Sequence, residues 1–339
     1  MATLPEAVAG GRATAGPAIA VRGLVKRYGD LVAVGGVDFE VRRGELFGFL
    51  GPNGAGKTTT INVLCTLAAP TEGEATVGGY DVRTERDQVR RMIGLVFQDT
   101  TLDGYLTAWQ NLRFHADLYG VPRTEFERRA RALLEMLDLW DRRDDRVQTF
   151  SGGMMRRLEI ARGLLHTPAV LFLDEPTIGL DPQTRASIWE HIRGLREREH
   201  VTIFFTTHYM DEAEGCERIA IIDHGKIVAL DTPEALKASV GKDRVQITTE
   251  DDARAIVALR ERFGIEAGIH DGAVTFSVAE GERFVPRLFA ELGLSIRSVA
   301  VARPTLDDVF LAYTGRTIRD AEAENPMRRM VAAWRARRR

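Results

Sequence analysis

The chain has 339 residues, 44% of them hydrophobic and 28% charged, with a formal net charge of −3. That length allows two domains with a sizeable core, and the near-neutral balance offers no electrostatic footprint for nucleic acid. No stretch approaches the roughly 20 apolar residues that cross a bilayer, and the two cysteines, Cys65 and Cys216, suggest neither a metal site nor a disulfide framework.

Residues 1–18, rich in Ala and Gly with Pro5 and Pro17, read as a disordered extension. They lack the basic segment and apolar core of a secretion signal. A first strand ends at Tyr28, and Glu45–Leu50 reads as a buried strand. It runs into Gly51, Pro52, Asn53, Gly54, Ala55, Gly56, Lys57 and Thr58, which have P-loop spacing, and then into a helical stretch, Thr59–Leu67. The glycines let successive backbone N–H groups turn inward as an anion nest, and the helix adds its positive end. Lys57 would reach the β- and γ-phosphates of a nucleoside triphosphate, and Thr58 would offer its hydroxyl to Mg²⁺.

Residues 99–168 carry helical patterns, among them Thr124–Leu139 with Ala132, Leu133, Met136 and Leu137 on one face. Phe150-Ser151-Gly152-Gly153-Met154 then opens a helix through Leu165, with Ser151 suited to the N-cap. Gly152 and Gly153 leave first-turn N–H groups uncovered, a second anion site. Val170–Glu175 is a short apolar run ending in two acids, the form of a buried parallel strand delivering carboxylates at its end. Asp174 is the expected Mg²⁺ ligand, and Glu175, on the opposite side of the strand, would accept a proton from the attacking water. Asp181 can cap a helix that Pro182 begins, His208 follows the apolar strand Val201–Phe205, and Thr232-Pro233-Glu234 starts another helix.

From residue 241 the pattern changes. A strand at Val245–Thr248, a helix at Asp252–Phe263, and strands at Glu266–His270 and Ala273–Val278 flank the hairpin signal Asp271-Gly272. A helix at Arg283–Leu292 and a strand at Ile296–Ala302 complete the order βαββαβ, which predicts a small ferredoxin-like domain. Thr305-Leu306-Asp307-Asp308 is a capping box for a last helix through Tyr313. The tail 316–339 is basic, with Met327, Met330, Val331 and Trp334 at helical spacing but Arg338 on the same face. It reads as a solvated tail, with contact to anionic lipid as the alternative.

The P-loop, the Ser-Gly-Gly helix start at 151–153 and the Asp174-Glu175 strand end, in this order, resemble an ABC transporter ATPase. The resemblance covers residues 19 to about 230. It implies further roles: Tyr28 as the aromatic on adenine, Gln98 as the Q-loop glutamine near the metal and the reaction, Asp181 as the D-loop acid and His208 as the switch histidine. Met154 and Phe150 depart from the usual Leu-Ser-Gly-Gly-Gln, a substitution familiar in the subgroup resembling daunorubicin-resistance exporters. The Leu306–Leu311 stretch resembles the C-terminal extension of that subgroup.

The resemblance implies an α/β P-loop ABC ATPase domain at 19–240, with a mixed sheet and a helical subdomain at 99–168, then a small α+β ferredoxin-like domain at 241–315. It implies ATP and Mg²⁺ as cofactors, a homodimer that sandwiches ATP, a separate polytopic membrane permease, no nucleic acid, and a peripheral place on the cytoplasmic face of the membrane. Helical residues 99–168, with Gln98 and Thr100–Tyr119, would meet the permease. The C-terminal domain is open to dimer support or regulation. Efflux of a drug-like or lipid-like compound is the leading reading. A non-transport ABC ATPase, or an exporter of ions, polysaccharide or lipo-oligosaccharide, is the alternative.

Overall fold

The computed structural model describes residues 16–270, 272–315 and 318 of the chain. The expected N-terminal extension, the Asp271 turn position and the basic tail therefore lie largely outside the described residues. The chain divides into two compact units, one reaching Leu230 and the other beginning at Asp231.

In chain order the first unit carries β1 (Ile19–Tyr28), β2 (Leu31–Val41), β3 (Leu46–Leu50), α1 (Lys57–Leu64), β4 (Glu72–Val77), β5 (Tyr80–Asp81), α2 (Arg86–Met92) and β6 (Ile93–Val96). Three helices follow, α3 (Ala108–Leu118), α4 (Arg123–Met136) and α5 (Gly152–Leu164). Then come β7 (Val170–Asp174), α6 (Pro182–Glu199), β8 (Thr202–Thr207), α7 (Met210–Ala213), β9 (Arg218–Asp223) and β10 (Lys226–Asp231), which crosses the division.

The central sheet has the order β10-β9-β3-β8-β7-β6, and the strands from β9 to β6 pair in parallel. Every residue of β3, β7 and β8 is buried, as their unbroken apolar runs require of strands covered on both faces. A second sheet, β2-β1-β4-β5, is antiparallel. Aromatic rings join the two sheets. Phe39 on β2 stacks on Phe47 at 5.9 Å and Phe204 at 6.0 Å, and Phe204 lies 5.4 Å from Phe49 and 5.5 Å from Phe172.

Parallel pairing brings the carboxyl ends of β3, β8, β7 and β6 to one edge, where open α/β sheets bind ligands. The register sets Leu50 beside Thr207 and Asp174 beside Thr206. The P-loop after β3, the acids at the end of β7 and His208 after β8 become neighbours although they are far apart in sequence.

Two expected helices are shorter than their apolar periodicity. α1 begins at Lys57 behind Gly56 and stops at Leu64, because Thr66 turns left-handed at φ 62°. α4 ends at Met136, where Asp138 is left-handed at φ 53° and the Leu139 N–H closes back on the Leu134 carbonyl. In both, the apolar face continues past the last helical residue, so periodicity overshoots.

The second unit contains α8 (Pro233–Val240), β11 (Asp243–Thr249), α9 (Asp252–Phe263), β12 (Ala267–His270), β13 (Ala273–Val278), α10 (Gly281–Glu291), β14 (Ile296–Ala302) and α11 (Leu306–Thr314). Its antiparallel sheet has the order β12-β13-β11-β14, the ferredoxin-like arrangement that the βαββαβ order predicts. Val245, Ile247, Val274, Phe276 and Val278 form its core with Leu259 and Leu288. The capping box is formed: Asp308 N–H donates to Thr305 Oγ1 at 3.2 Å and Thr305 N–H to Asp308 Oδ2 at 2.8 Å. The division falls ahead of α8 rather than behind it, since α8 packs on α11 in the second unit. Among the described residues no helix is long and apolar enough to cross a membrane.

The aromatic layer gives a stability test. Phe204→Ala removes a fully buried ring that touches both sheets and should cost about 3–5 kcal/mol in chemical denaturation. A cost under about 1 kcal/mol would mean that the layer does not hold the sheets together.

Candidate functional site

Gly56 adopts φ 109°, a conformation that side chains rarely reach, and it starts α1 without a side-chain cap. The first-turn N–H groups thus face the P-loop. Thr207 supplies a carbonyl to the Gly51 N–H at 3.1 Å, pinning the start of the loop to the end of β8.

Lys57 is buried inside this loop. Its Nζ donates to the carbonyls of Gly51 at 2.7 Å and Pro52 at 3.1 Å, and lies 3.0 Å from Glu175 Oε1. Thr58 Oγ1 donates to Asp174 Oδ1 at 3.2 Å, and Thr206 Oγ1 donates to the same oxygen at 2.6 Å. The Thr206 hydroxyl also accepts the Glu175 N–H at 3.0 Å. His208 Nδ1 stands 3.2 Å from Glu175 Oε2, off hydrogen-bond alignment.

The expectation that Glu175 points away from Asp174 across the strand is corrected here. β7 ends at Asp174, and Glu175 takes a left-handed backbone at φ 46°. Strand alternation therefore no longer governs it, and its carboxylate comes round to Lys57 and His208 on the P-loop side.

The two acids ionise in opposite ways. Burial raises the Asp174 pKa, against hydrogen bonds from Thr206 and Thr58, and the neighbouring Glu175 charge adds to the rise. Burial also opposes ionisation of Glu175, but the His208 imidazole and the Lys57 ammonium outweigh it and hold the carboxyl at about 2. Thr58 and Asp174 suit Mg²⁺. Both offer hard oxygen, and their 3.2 Å separation is close to the roughly 2.9 Å edge of an octahedron with bonds of 2.0–2.1 Å. A cation would also relieve the cost of the buried Asp174 charge.

The other expected residues stand outside this network. Tyr28, at the end of β1, is half exposed with Lys26 Nζ 4.6 Å from its ring centre. Ser151 caps α5, accepting the Met154 N–H at 3.3 Å, and Gly152 is exposed. Gly153 has a packing reason as well: a Cβ there would lie 2.5 Å from Thr184 Cγ2 on α6. Asp181 caps α6, accepting the Thr184 N–H at 3.0 Å. Gln98 is exposed after β6, and its backbone carbonyl accepts from Arg156 at 2.7 Å.

That last contact belongs to a cluster which motif reading misses. Arg156, buried on α5, donates to the carbonyls of Phe97 at 2.5 Å and Gln98 at 2.7 Å and pairs with Glu159 at 3.0 Å. Glu159 accepts the Thr101 N–H at 2.8 Å. The helix that begins at Ser151 thereby holds the loop of Gln98. A charged pair at i, i+3 in a helix is usually a solvated one, so nothing local marks it as buried. Thr206 was missed for a similar reason: the apolar run ends at Phe205, yet β8 continues to Thr207. The thiols of Cys65 and Cys216 are buried, which raises both pKa values.

The ABC transporter family profile matches residues 34–178, and that of the ATP-binding protein DrrA1-3-like C-terminal domain matches residues 232–314. The daunorubicin resistance ATP-binding protein DrrA3 of Streptomyces coeruleorubidus is 42% identical, over 90% of this chain and 98% of that protein. The linearmycin resistance ATP-binding protein LnrL of Bacillus subtilis is 40% identical, over 87% of this chain and 97% of its own. Among solved structures, an ATP-binding cassette in a dimeric post-hydrolysis state bound to ADP and Pi is similar with a TM-score of 0.57. It is 29% identical, covering 63% of this chain and 98% of that one.

The lowered Glu175 pKa sets an acid dependence. A carboxyl depressed on folding adds stability that is present above its ordinary value of 4.5 and lost as pH falls through about 2. The raised Asp174 acts with the opposite sign. Glu175→Gln should flatten the acid limb of stability against pH across that window. An unaltered limb would show that Glu175 is not paired in solution.

Proposed function

The chain belongs to the ABC transporter ATP-binding family and has its DrrA1-3-like C-terminal domain, and on that footing we propose that it energises export through a separate membrane permease. It is an ATP-hydrolysing ATPase of that family. The convergence of Lys57, Thr58, Asp174, Glu175 and His208 at one sheet edge carries the proposal.

The P-loop from Gly51 to Thr59 wraps the phosphates, with Tyr28 against the adenine. Thr58 and Asp174, joined by Gln98, would hold Mg²⁺, which would supply charge neutralisation to the phosphates. An incoming γ-phosphate competes with Glu175 for the Lys57 ammonium. Glu175, released toward solvent, then orients the attacking water and takes its proton, while His208 senses the γ-phosphate. The helix start at Ser151–Gly153, exposed at Ser151 and Gly152, closes over the nucleotide of a second copy, with Asp181 at the same seam, giving a head-to-tail dimer around two ATP. The dimeric, ADP-bound cassette to which this chain is similar supports that reading.

Gln98 passes the change to the permease. Phe114 and Leu118, one turn apart on α3, and Tyr105 ahead of it are exposed apolar side chains within the Gln98–Tyr119 segment, which supports a membrane-protein contact there. The location that goes with this reading is the cytoplasmic face of the membrane, where the permease would hold the protein. The relatives named for daunorubicin and linearmycin resistance support efflux of a drug-like or lipid-like compound.

Glu175→Gln should still bind ATP and dimerise, while steady-state turnover falls about 100-fold or more. Near-normal turnover would exclude Glu175 as the base. Lys57→Ala should weaken nucleotide binding itself, read by calorimetry. For transport, the tagged Glu175→Gln chain is trapped with ATP and recovered from gently solubilised membranes. A polytopic membrane protein in stoichiometric amount is the expected result. Ribosomal or DNA-associated partners without one would overturn export and leave the ATPase in place.

A further inference from the structure

The geometry points to Glu212 as a positioning residue for hydrolysis, and we propose that one buried carboxylate sets the spacing of the two loops carrying Glu175 and His208. Glu212 sits on α7 and is 4% exposed. Its Oε1 accepts the hydroxyl of Thr177, two residues past Glu175. Its Oε2 accepts the hydroxyl of Thr207, immediately ahead of His208, at 2.6 Å. Both threonines are buried.

Thr207 extends the link. Its hydroxyl oxygen accepts the Tyr209 N–H at 2.9 Å, and its carbonyl accepts the Gly51 N–H at 3.1 Å. His208 is therefore flanked on both sides by groups tied to Glu212, directly or through Thr207, and the same residue anchors the start of the P-loop. Arg185 from α6 supplies countercharge. Its Nε lies 3.7 Å from Glu212 Oε1, its Nη2 bonds Asp211 at 2.5 Å, and its guanidinium stands 4.0 Å from the Tyr209 ring centre. The remaining connection is short: the Ile178 N–H closes on the Glu175 carbonyl at 3.2 Å, making a compact turn from Glu175 to Thr177 and beyond.

A carboxylate that served only the core would be expected to bond core groups. The hydroxyls that reach Glu212 come from the loop after β7 and from the last residue of β8, next to His208, so it acts as a strut between the two strand ends. Losing it frees the Glu175–His208 relation, and a displacement of about 1 Å at reacting groups can cost about 100-fold in rate. Nucleotide affinity, set by the P-loop, should change little.

The inference rests on the proposed roles of Glu175 and His208. Its test is steady-state ATPase kinetics and equilibrium ATP binding of the full chain as Glu212→Ala, Glu212→Gln, His208→Ala and the double His208→Ala/Glu212→Ala. Glu212→Ala should lower kcat about 100-fold with ATP affinity held within about threefold. Glu212→Gln keeps one acceptor oxygen for a hydroxyl and should recover about tenfold of that loss. In the His208→Ala background Glu212→Ala should add less than about threefold, because its effect passes through His208.

Losses that multiply in the double variant, or a weakened ATP affinity at unchanged kcat, overturn the positioning role. Unimpaired His208→Ala overturns the underlying assignment of His208, a separable failure. Should Glu212→Ala fail to fold, Thr207→Val removes only one hydroxyl and takes its place in the same cycle, with the same outcomes deciding.

Discussion

Two consecutive carboxylates, Asp174 and Glu175, end a fully buried strand, and the arrangement of the first unit turns on how their charge is met. Unpaired charges at such a depth cost several kcal/mol each. The left-handed residue at Glu175 splits the pair, so each acid meets different partners. Asp174 takes the hydroxyls of Thr58 and Thr206, and Glu175 takes Lys57 with His208 at 3.2 Å. Those partners come from β8 beside β7, from the loop after β8, and from the start of α1 behind β3, one strand beyond. The order β3-β8-β7 is thus what makes a charged strand end tolerable.

The same partners are suited to a triphosphate. A lysine held by two loop carbonyls and one carboxylate can exchange the carboxylate for phosphate without leaving its socket. Oxygen atoms of Thr58 and Asp174 already lie at the spacing of neighbouring ligands on a small cation. Folding therefore leaves the site organised, and little ordering remains to be done when nucleotide arrives.

The helix α5 joins two tasks. Its first turn is exposed at Ser151 and Gly152, while one and two turns further Arg156 and Glu159 are buried against the loop of Gln98. Because the guanidinium grips backbone carbonyls, the hold does not depend on which side chains that loop carries. The helix start and the Gln98 loop are thus joined through a single element, the connection that the proposed relay of nucleotide state to a permease would use.

Much of this is legible in the amino-acid sequence itself. Local features carried it: the glycine spacing at 51–58, the caps at Ser151, Asp181 and Thr305, and the βαββαβ order after residue 241, whose sheet has the expected topology. These depend on neighbours within a few residues, where backbone sterics and periodicity decide. The direction of Glu175, the ends of α1 and α4, and the partners of Thr206, Arg156 and Glu212 were not legible. Each is settled by groups far away in sequence, as when Glu212 meets Thr177 or Arg156 meets Phe97. Buried charge is satisfied by whatever the fold brings near, and only the packed sheet decides what that is.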